Sequence, residues 1–398
     1  MNGVDRLKRR VVAGVDARRE ELIRISDTIH ANPELAFEEF AAAALLCDAL
    51  EENGFAVERG VAGLETAFVA TLRAEDSGPT VAFLAEYDAL PGLGHACGHN
   101  IIAAAALGAG LVMKTVLSDL AGTVQVIGTP AEEGGGGKAI MVDAGIFANV
   151  DAALMVHPSG RNLVGRKALT AVPISIEFFG KAAHAAAIPD EGINALEAML
   201  LTFNGINALR QHLRDDARIH GIITHGGDAP NIVPDYTKAR FIVRAADTPY
   251  AMGVLERVRV CAEGAARATG ARVELKQTGP RYDARMPNRK LVALFKDNME
   301  ALGLDVTVAT GDERMGSSDI GNVSQVIPAI HPYIAIGPEE IGGHTVEFRE
   351  ASASPAGREG LINAAKAMAM TAVDLLAVPA NVNEAKKAFE EQKRRQEG

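Results

Sequence analysis

The sequence predicts an α/β fold in which a mostly parallel sheet is flanked by helices and an α+β domain of the ferredoxin-like type is inserted. The first observation is length, because 398 residues exceed one ordinary domain of about 150 residues. The second is composition, since hydrophobic residues make up 48% of the chain and charged residues 23%, as in proteins with a large core. The third is the order of patterns, in which short β-rich apolar runs alternate with helical ones.

The first part of the chain shows this alternation after a charged helical segment over residues 1–50. We predict strands at 66–72, 81–85, 124–127 and 152–156, and helices at 99–117 and 138–144. Apolar runs of strand length that alternate with helical patterns are typical of a parallel sheet with helices on its faces. This part is the first portion of the main domain, residues 1–172.

The middle of the chain follows a different order, β-α-β-β-α-β, which is that of a ferredoxin-like unit. Its strands are predicted at 174–178, 219–223, 237–245 and 272–276, with one helix from an Asp190 cap through Leu200 and another at 248–270. Residues 173–284 therefore form the predicted inserted domain. The α/β pattern then resumes in the second portion of the main domain, 285–398, with helices at 291–299 and 356–376 and strands at 306–309 and 329–336.

The charge of the chain argues against several classes of partner. The chain has 51 acidic and 40 basic residues, a net charge of −11, which disfavours nucleic acid. The longest apolar stretch, 101–113, is shorter than the roughly 20 residues of a membrane helix, and the charged N-terminus lacks a signal-peptide core. We therefore expect a soluble, cytoplasmic protein that acts neither on nucleic acid nor on a membrane.

Metal-competent residues follow the ends of the predicted strands in four places. They are Glu86 and Asp88 with the loop at 94–100, the pair Glu132 and Glu133, His157, and His344 in a glycine-rich loop. Open α/β sheets bind ligands in the crevice outside the carboxyl ends of their strands, so residues far apart in sequence converge there. Convergence at one edge of the sheet is therefore expected.

The residue types at these strand ends suit a metal-dependent reaction. Cys97 and His99 are close enough for one tight turn to present a thiolate and an imidazole, which suit Zn²⁺. Of the adjacent Glu132 and Glu133, one side chain can bind metal while the other acts as a general base. In the inserted domain, His184, Asn231 and Arg244 suit a carbonyl oxygen and a carboxylate.

Six motifs in this order carry a resemblance to a known family. They are AEYDALP at 85–91, GHACGHN at 94–100, PAEEG at 130–134, GKAAH at 180–184, NIVP at 231–234 and GSSD at 316–319. The set resembles the di-metal amidohydrolases and peptidases that include aminoacylases, plant auxin-conjugate hydrolases and aminobenzoyl-glutamate hydrolase. Asn100, where the auxin-conjugate branch usually has aspartate, is most similar to the aminobenzoyl-glutamate hydrolase and basic-dipeptide dipeptidase branch.

The resemblance implies a di-zinc peptidase-like catalytic domain and a role for each site residue. Cys97, His99, Glu133, His157 and His344 would bind two divalent ions, most simply Zn²⁺, with Mn²⁺ or Co²⁺ as the other choices. Glu132 would act as general base and then acid, and Asp88 would orient the site. His184 would polarise the scissile carbonyl from the partner subunit of a homodimer formed through the inserted domain, and Asn231 and Arg244 would bind the substrate. Other branches have a histidine ligand at position 86, so the role of Glu86 stays open.

The function expected from the sequence is metal-dependent hydrolysis of an amide bond. The substrate is a small molecule with a free carboxylate, and a dipeptide, an N-acyl amino acid and an aminobenzoyl-glutamate all remain open. Two alternatives remain beside it. One is a hydrolase that uses Cys97 as a covalent nucleophile and works without metal. The other is a binding protein of the same fold without turnover.

Overall fold

The computed structural model describes residues 3–397, which divide into two compact units. The second unit is Ala168–Ala284, and the first unit combines the segments before and after it. Each unit buries its own apolar side chains. The two units are therefore described separately.

The amino-terminal segment of the first unit begins with helices and continues with alternating strands and helices. In chain order the elements are α1 (Gly3–Ala17), α2 (Arg19–Ala31), α3 (Phe40–Glu52), β1 (Ala56–Arg59), β2 (Phe68–Arg73), β3 (Thr80–Ala85), α4 (His99–Met113), β4 (Thr123–Gly128), α5 (Gly137–Asp143), β5 (Ala152–Leu154), β6 (His157–Ser159) and β7 (Leu163–Val164). The predicted strands and helices of this segment are present, with ends shifted by a few residues.

The rest of the chain supplies the second unit and then completes the first. The second unit contains β8 (Thr170–Phe179), α6 (Ala195–Arg210), β9 (Arg218–His225), β10 (Tyr236–Ala245), α7 (Thr248–Thr269) and β11 (Arg272–Gln277). The carboxyl-terminal segment of the first unit contains α8 (Arg289–Ala301), β12 (Thr307–Val308), α9 (Ile320–Ser324), β13 (Ala329–Ile330), β14 (Tyr333–Ala335), α10 (Val346–Ser352), α11 (Pro355–Ala377) and α12 (Pro379–Glu397).

The main sheet of the first unit has the order β1-β2-β4-β3-β5-β13. Strands β4, β3, β5 and β13 run parallel, whereas β1 and β2 pair antiparallel at one edge. A smaller sheet has the order β12-β7-β14-β6. The prediction of a mostly parallel sheet with helices is confirmed, and the parallel strands end at a common edge.

Helices α4 and α11 form the centre of the first unit. Every residue of α4 is buried, because its alanines and glycines let neighbouring elements approach closely. A Cβ at Gly110 would lie 2.3 Å from Cγ2 of Val126 in β4, so only glycine fits there. Helix α11 is long and apolar enough to cross a membrane, but 89% of its apolar window is buried inside the structure, as in the core helix of a globular domain.

The second unit is a four-stranded antiparallel sheet with two helices. Its strand order is β11-β8-β10-β9, so the first and third strands of the unit lie at the centre, as in ferredoxin-like folds. Side chains of α6 and α7 pack with alternate residues of β8 and β10 in one apolar core.

Two predicted elements differ from the structure. Helix α6 does not begin at an Asp190 cap, because Asp190 lies in a separate short 3₁₀ helix, Pro189–Glu191, and Asn194 caps α6 by accepting from the backbone N–H groups of Leu196 and Glu197. The single strand predicted at 329–336 is two strands, β13 and β14, which belong to different sheets. Pro332 lies between them and lacks the N–H group that a continuous ladder would need.

Candidate metal centre

The metal-competent residues follow the parallel strands of the first unit. Glu86 comes directly after β3, and Glu132 and Glu133 lie in the turn after β4. His157 follows β5 and begins β6. Because β3, β4 and β5 are parallel neighbours, their carboxyl ends bring these side chains to one edge of the sheet.

Two loops bring the remaining candidates to the same edge. Cys97 precedes α4, and Gly98 between Cys97 and His99 has a φ of +76°. A Cβ at Gly98 would lie 2.7 Å from Cγ of Pro158, so glycine allows this loop to approach β6. The backbone N–H of His344 donates to the carbonyl of Ala96 at 2.8 Å, which places the second loop against the first.

The side chains form three overlapping groups whose ligand atoms lie within 4.8 Å of one another. The groups are Cys97, His99 and His157; Cys97, Glu133 and His344; and His99, Glu132 and Glu133. Sγ of Cys97 is 3.4 Å from Nε2 of His157, and Nε2 of His344 is 3.2 Å from Oε1 of Glu133. The structure thus brings together all six first-unit residues that the sequence singled out as ligands or general base.

Asp88 orients two members of this cluster. Its Oδ1 is 2.9 Å from Nδ1 of His99, and its Oδ2 accepts from the backbone N–H of Glu133 at 2.9 Å. Nδ1 of His99 therefore carries the hydrogen, and Nε2 faces the cluster with a lone pair. Burial would raise the pKa of Asp88, but the neighbouring His99 ring outweighs burial and lowers that pKa.

The charged groups of the cluster influence one another strongly. Burial raises the pKa of the Cys97 thiol, and burial also lowers the pKa of His157 to about 4. The pKa of Glu132 is raised well above its ordinary value, first by burial and then by the carboxylates of Glu86 and Asp319. A carboxyl group with a raised pKa can accept a proton and later return it.

Glu86, whose role the sequence left open, belongs to a buried ion-pair network. Its Oε1 lies 2.5 Å from Nζ of Lys138, which also donates to Oδ1 of Asp319 at 2.9 Å. All three side chains are at most 1% exposed. Oε2 of Glu86 lies 3.4 Å from Nε2 of His99, so the network borders the cluster. Sequence analysis assigned no role to Lys138 or Asp319, because neither residue type indicates a partner so distant in the chain.

The chemistry of this donor set fits divalent metal ions. One thiol, three imidazoles and two adjacent carboxylates converge, and such sets suit Zn²⁺ and similar ions. Nε2 of His99 is buried and has no hydrogen-bond partner, although buried polar atoms normally have one. A metal ion is the partner that this lone pair lacks.

The second unit contains the other three predicted site residues. Nδ1 of His184 accepts from the backbone N–H groups of Ala186 and Ala187 at 3.2 Å each, so its exposed ring carries the hydrogen on Nε2 and can donate outward. The backbone N–H of Ala185 donates to the carbonyl of Asn231, which brings His184 and Asn231 together. Arg244 lies near the far end of β10, about 26 Å along the strand from its first residue, and is not brought to this pair.

These features define a class, namely metal-dependent hydrolases built on an α/β sheet. The chain belongs to peptidase family M20/M25/M40, whose family model matches residues 82–367. It is 39% identical to the Xaa-Arg dipeptidase of Mus musculus, over 96% of this chain and 92% of that protein. It is 32% identical to one of the p-aminobenzoyl-glutamate hydrolase proteins of Escherichia coli (strain K12), over 91% of this chain and 90% of that protein.

Solved structures share the fold over nearly the whole chain. A dinuclear metal-binding M20 peptidase from Bacillus subtilis superposes with a TM-score of 0.72 at 23% identity, covering 91% of this chain and 99% of that chain. The aminobenzoyl-glutamate utilization protein from Klebsiella pneumoniae superposes with a TM-score of 0.71 at 23% identity, covering 94% and 98%. The predicted fold class, family and amide-bond hydrolysis are confirmed, and neither the binding protein nor the cysteine-nucleophile hydrolase is favoured.

Proposed function

We propose that this chain hydrolyses a dipeptide, or a closely related N-acyl amino acid, that has a free carboxylate. The observation that carries the proposal is the convergence of Cys97, His99, Glu132, Glu133, His157 and His344 at one sheet edge. The names of the relatives support the substrate class, because one is a Xaa-Arg dipeptidase and another an aminobenzoyl-glutamate hydrolase. Both names describe the cleavage of an amide next to a free carboxylate.

The site residues divide into those that would hold metal and those that move protons. Cys97, His99, Glu133, His157 and His344 would hold two divalent ions, with the Cys97 thiolate shared. When bound, the ions make water more acidic and polarise the amide carbonyl. Glu132 takes the proton of the attacking water and transfers it to the leaving amine. Asp88 keeps the ring of His99 and the backbone of Glu133 in place throughout.

The second unit would supply the substrate contacts. Nε2–H of the partner subunit's His184 donates to the carbonyl oxygen, Asn231 binds the substrate beside it, and Arg244 binds a carboxylate. The distance along β10 between Arg244 and the His184–Asn231 pair supports a homodimer, because one second unit does not offer all three to the same small substrate. Size-exclusion chromatography with light scattering tests the dimer.

We further propose that the ions are Zn²⁺ and that the protein works in the cytoplasm. The thiol and the three imidazoles favour Zn²⁺, while Mn²⁺ and Co²⁺ can use the same ligands. Free thiols at Cys47, Cys97 and Cys261 are consistent with a reducing compartment. Elemental analysis of protein purified without added metal tests the metal identity.

The decisive experiment compares Glu132→Gln with the unaltered protein on a panel of dipeptides, N-acyl amino acids and aminobenzoyl-glutamate. General acid–base catalysis typically contributes about 10²- to 10⁴-fold, so we expect kcat to fall by that factor. Metal content should stay unchanged, because five other side chains hold the ions. Near-normal turnover by the variant would remove Glu132 from the mechanism, and amine release from metal-stripped protein would contradict metal dependence.

A further inference from the structure

The turn that contains Glu132 and Glu133 is closed by its own backbone. The carbonyl of Ala131 accepts from the N–H groups of Gly135 at 3.0 Å and Gly136 at 2.7 Å. Ala131 has a φ of +59°, which a residue with a Cβ rarely adopts. The orientation of both glutamates therefore depends on Ala131 remaining in this conformation.

A buried carboxylate from a distant segment holds Ala131. Oε1 of Glu39 accepts from the backbone N–H of Ala131 at 2.9 Å, and Oε2 accepts from the hydroxyl of Thr66 at 2.9 Å. Glu39 is 0% exposed, although it precedes the first residue of α3, where a side chain usually caps the helix. Its carboxylate makes no such capping bond. The side chain reaches the turn instead.

A second contact ties the same segment to the same turn. A Cβ at Gly135 would lie 2.3 Å from Cε2 of Phe37, so the Phe37 ring rests directly on the backbone of the turn. Phe37 also has a positive φ, +64°. Backbone conformations of this kind persist where the surrounding structure enforces them, and they cluster at functional sites. Phe37 and Glu39 thus hold the turn from one side.

We propose that Glu39 is a positioning residue that holds the turn at Ala131 so that Glu132 points at the reacting water. The inference rests on the proposed role of Glu132 as general base. Glu39 acts through Ala131 and does not touch the substrate. Its loss should therefore affect the chemical step and leave substrate binding and metal binding largely unchanged.

The test compares three variants of the full-length protein. Glu39→Ala removes the acceptor for Ala131, and Glu39→Gln keeps an amide oxygen for it. Glu34→Ala is the matched control, because the Glu34 carboxylate also accepts two N–H groups at the start of α3, those of Ala41 and Ala42, without touching the turn. The measurements are kcat, KM, metal content and melting temperature, with Glu132→Gln assayed beside them.

A misplacement of about 1 Å can cost about 10²-fold in rate, so we expect kcat of Glu39→Ala to fall by about that factor. KM and metal content should stay close to those of the unaltered protein, Glu39→Gln should restore most of kcat, and Glu34→Ala should retain it. Thr66→Val, which removes only the hydroxyl on Oε2, should lower kcat less and provides the test if Glu39→Ala does not fold.

Three results separate the possible failures. Full activity of both Glu39→Ala and Thr66→Val, with Glu132→Gln inactive, would overturn the positioning role and leave the proposed function intact. Equal losses in Glu39→Ala and Glu34→Ala would also overturn it, because they would show a general effect on the start of α3. Full activity of Glu132→Gln would overturn the proposed function itself.

Discussion

At the residue scale, Asp88 determines the geometry of two candidate ligands at once. Its two oxygens are used differently, one for Nδ1–H of His99 and the other for the N–H of Glu133. Carboxylates that orient metal-ligating histidines also raise the basicity of the ring. The histidine and the glutamate are therefore preset before any ion binds.

Asp88→Asn should weaken metal binding by about 10- to 100-fold, as is typical when a partner of a ligating histidine is lost. The asparagine amide has one acceptor oxygen, so it cannot receive both N–H groups, and its own N–H₂ group would face one of them. Competition with a chromogenic chelator measures the affinity. Asp297→Asn, an exposed change on α8, is the control, and an unchanged affinity in Asp88→Asn would contradict this role.

Metal binding should release protons and should strengthen as pH rises. Burial raises the pKa of the Cys97 thiol, so the metal-free site keeps that proton at neutral pH, and binding must displace it. His157, whose pKa is lowered to about 4, is already neutral above pH 5 and releases none. Calorimetry in buffers of different ionisation enthalpy counts the protons. An affinity that is independent of pH between 6 and 8 would contradict thiolate ligation.

The sequence identified the ligand set but not the residues that support it. Cys97, His99, Glu132 and Glu133 stand beside glycines at strand ends, and that local pattern predicts chemistry. Glu39, Lys138 and Asp319 give no such signal, because their function depends on partners 92 and 181 residues away in the chain. Only the fold shows that these buried charges have partners.

At the element scale, helix α6 shows how local chemistry can be misread. Asp190 and Asn194 are both good capping residues, and the pattern alone favoured the one next to Pro189. In the structure Pro189 begins a separate 3₁₀ helix, and the oxygen of Asn194 caps α6. A sequence pattern finds a helix more reliably than it finds the residue where the helix begins.

Asn194→Ala should lower the free energy of unfolding by about 1 kcal/mol, the usual contribution of such a cap. Asn207→Ala, in the exposed interior of the same helix, is the matched control and should change stability by less than about 0.5 kcal/mol. Urea unfolding followed by circular dichroism measures both. Equal effects of the two substitutions would show that the cap does not stabilise α6.

At the scale of the whole molecule, the two units have separate apolar cores, and the residues proposed to hold the ions all belong to the first unit. An ion that binds only the folded first unit stabilises that unit by mass action.

Addition of Zn²⁺ to metal-stripped protein should slow amide hydrogen exchange around Cys97, His99 and the turn at 131–136. Exchange in the core strands β8 and β10 of the second unit should stay nearly unchanged, because none of the proposed ligands lies there. Hydrogen-exchange mass spectrometry resolves the two regions. Equal protection of both units would contradict a metal effect confined to the first unit.

The division of the first unit into two chain segments has a consequence for biosynthesis. Four of the five proposed ligands lie before the second unit in the chain, and His344 lies after it. At a translation rate of about 5–20 residues per second, roughly 10–40 s separate the synthesis of His157 from that of His344. During that interval the ribosome makes the whole second unit. The nascent chain can therefore offer a metal ion only an incomplete set of ligands until its last third emerges.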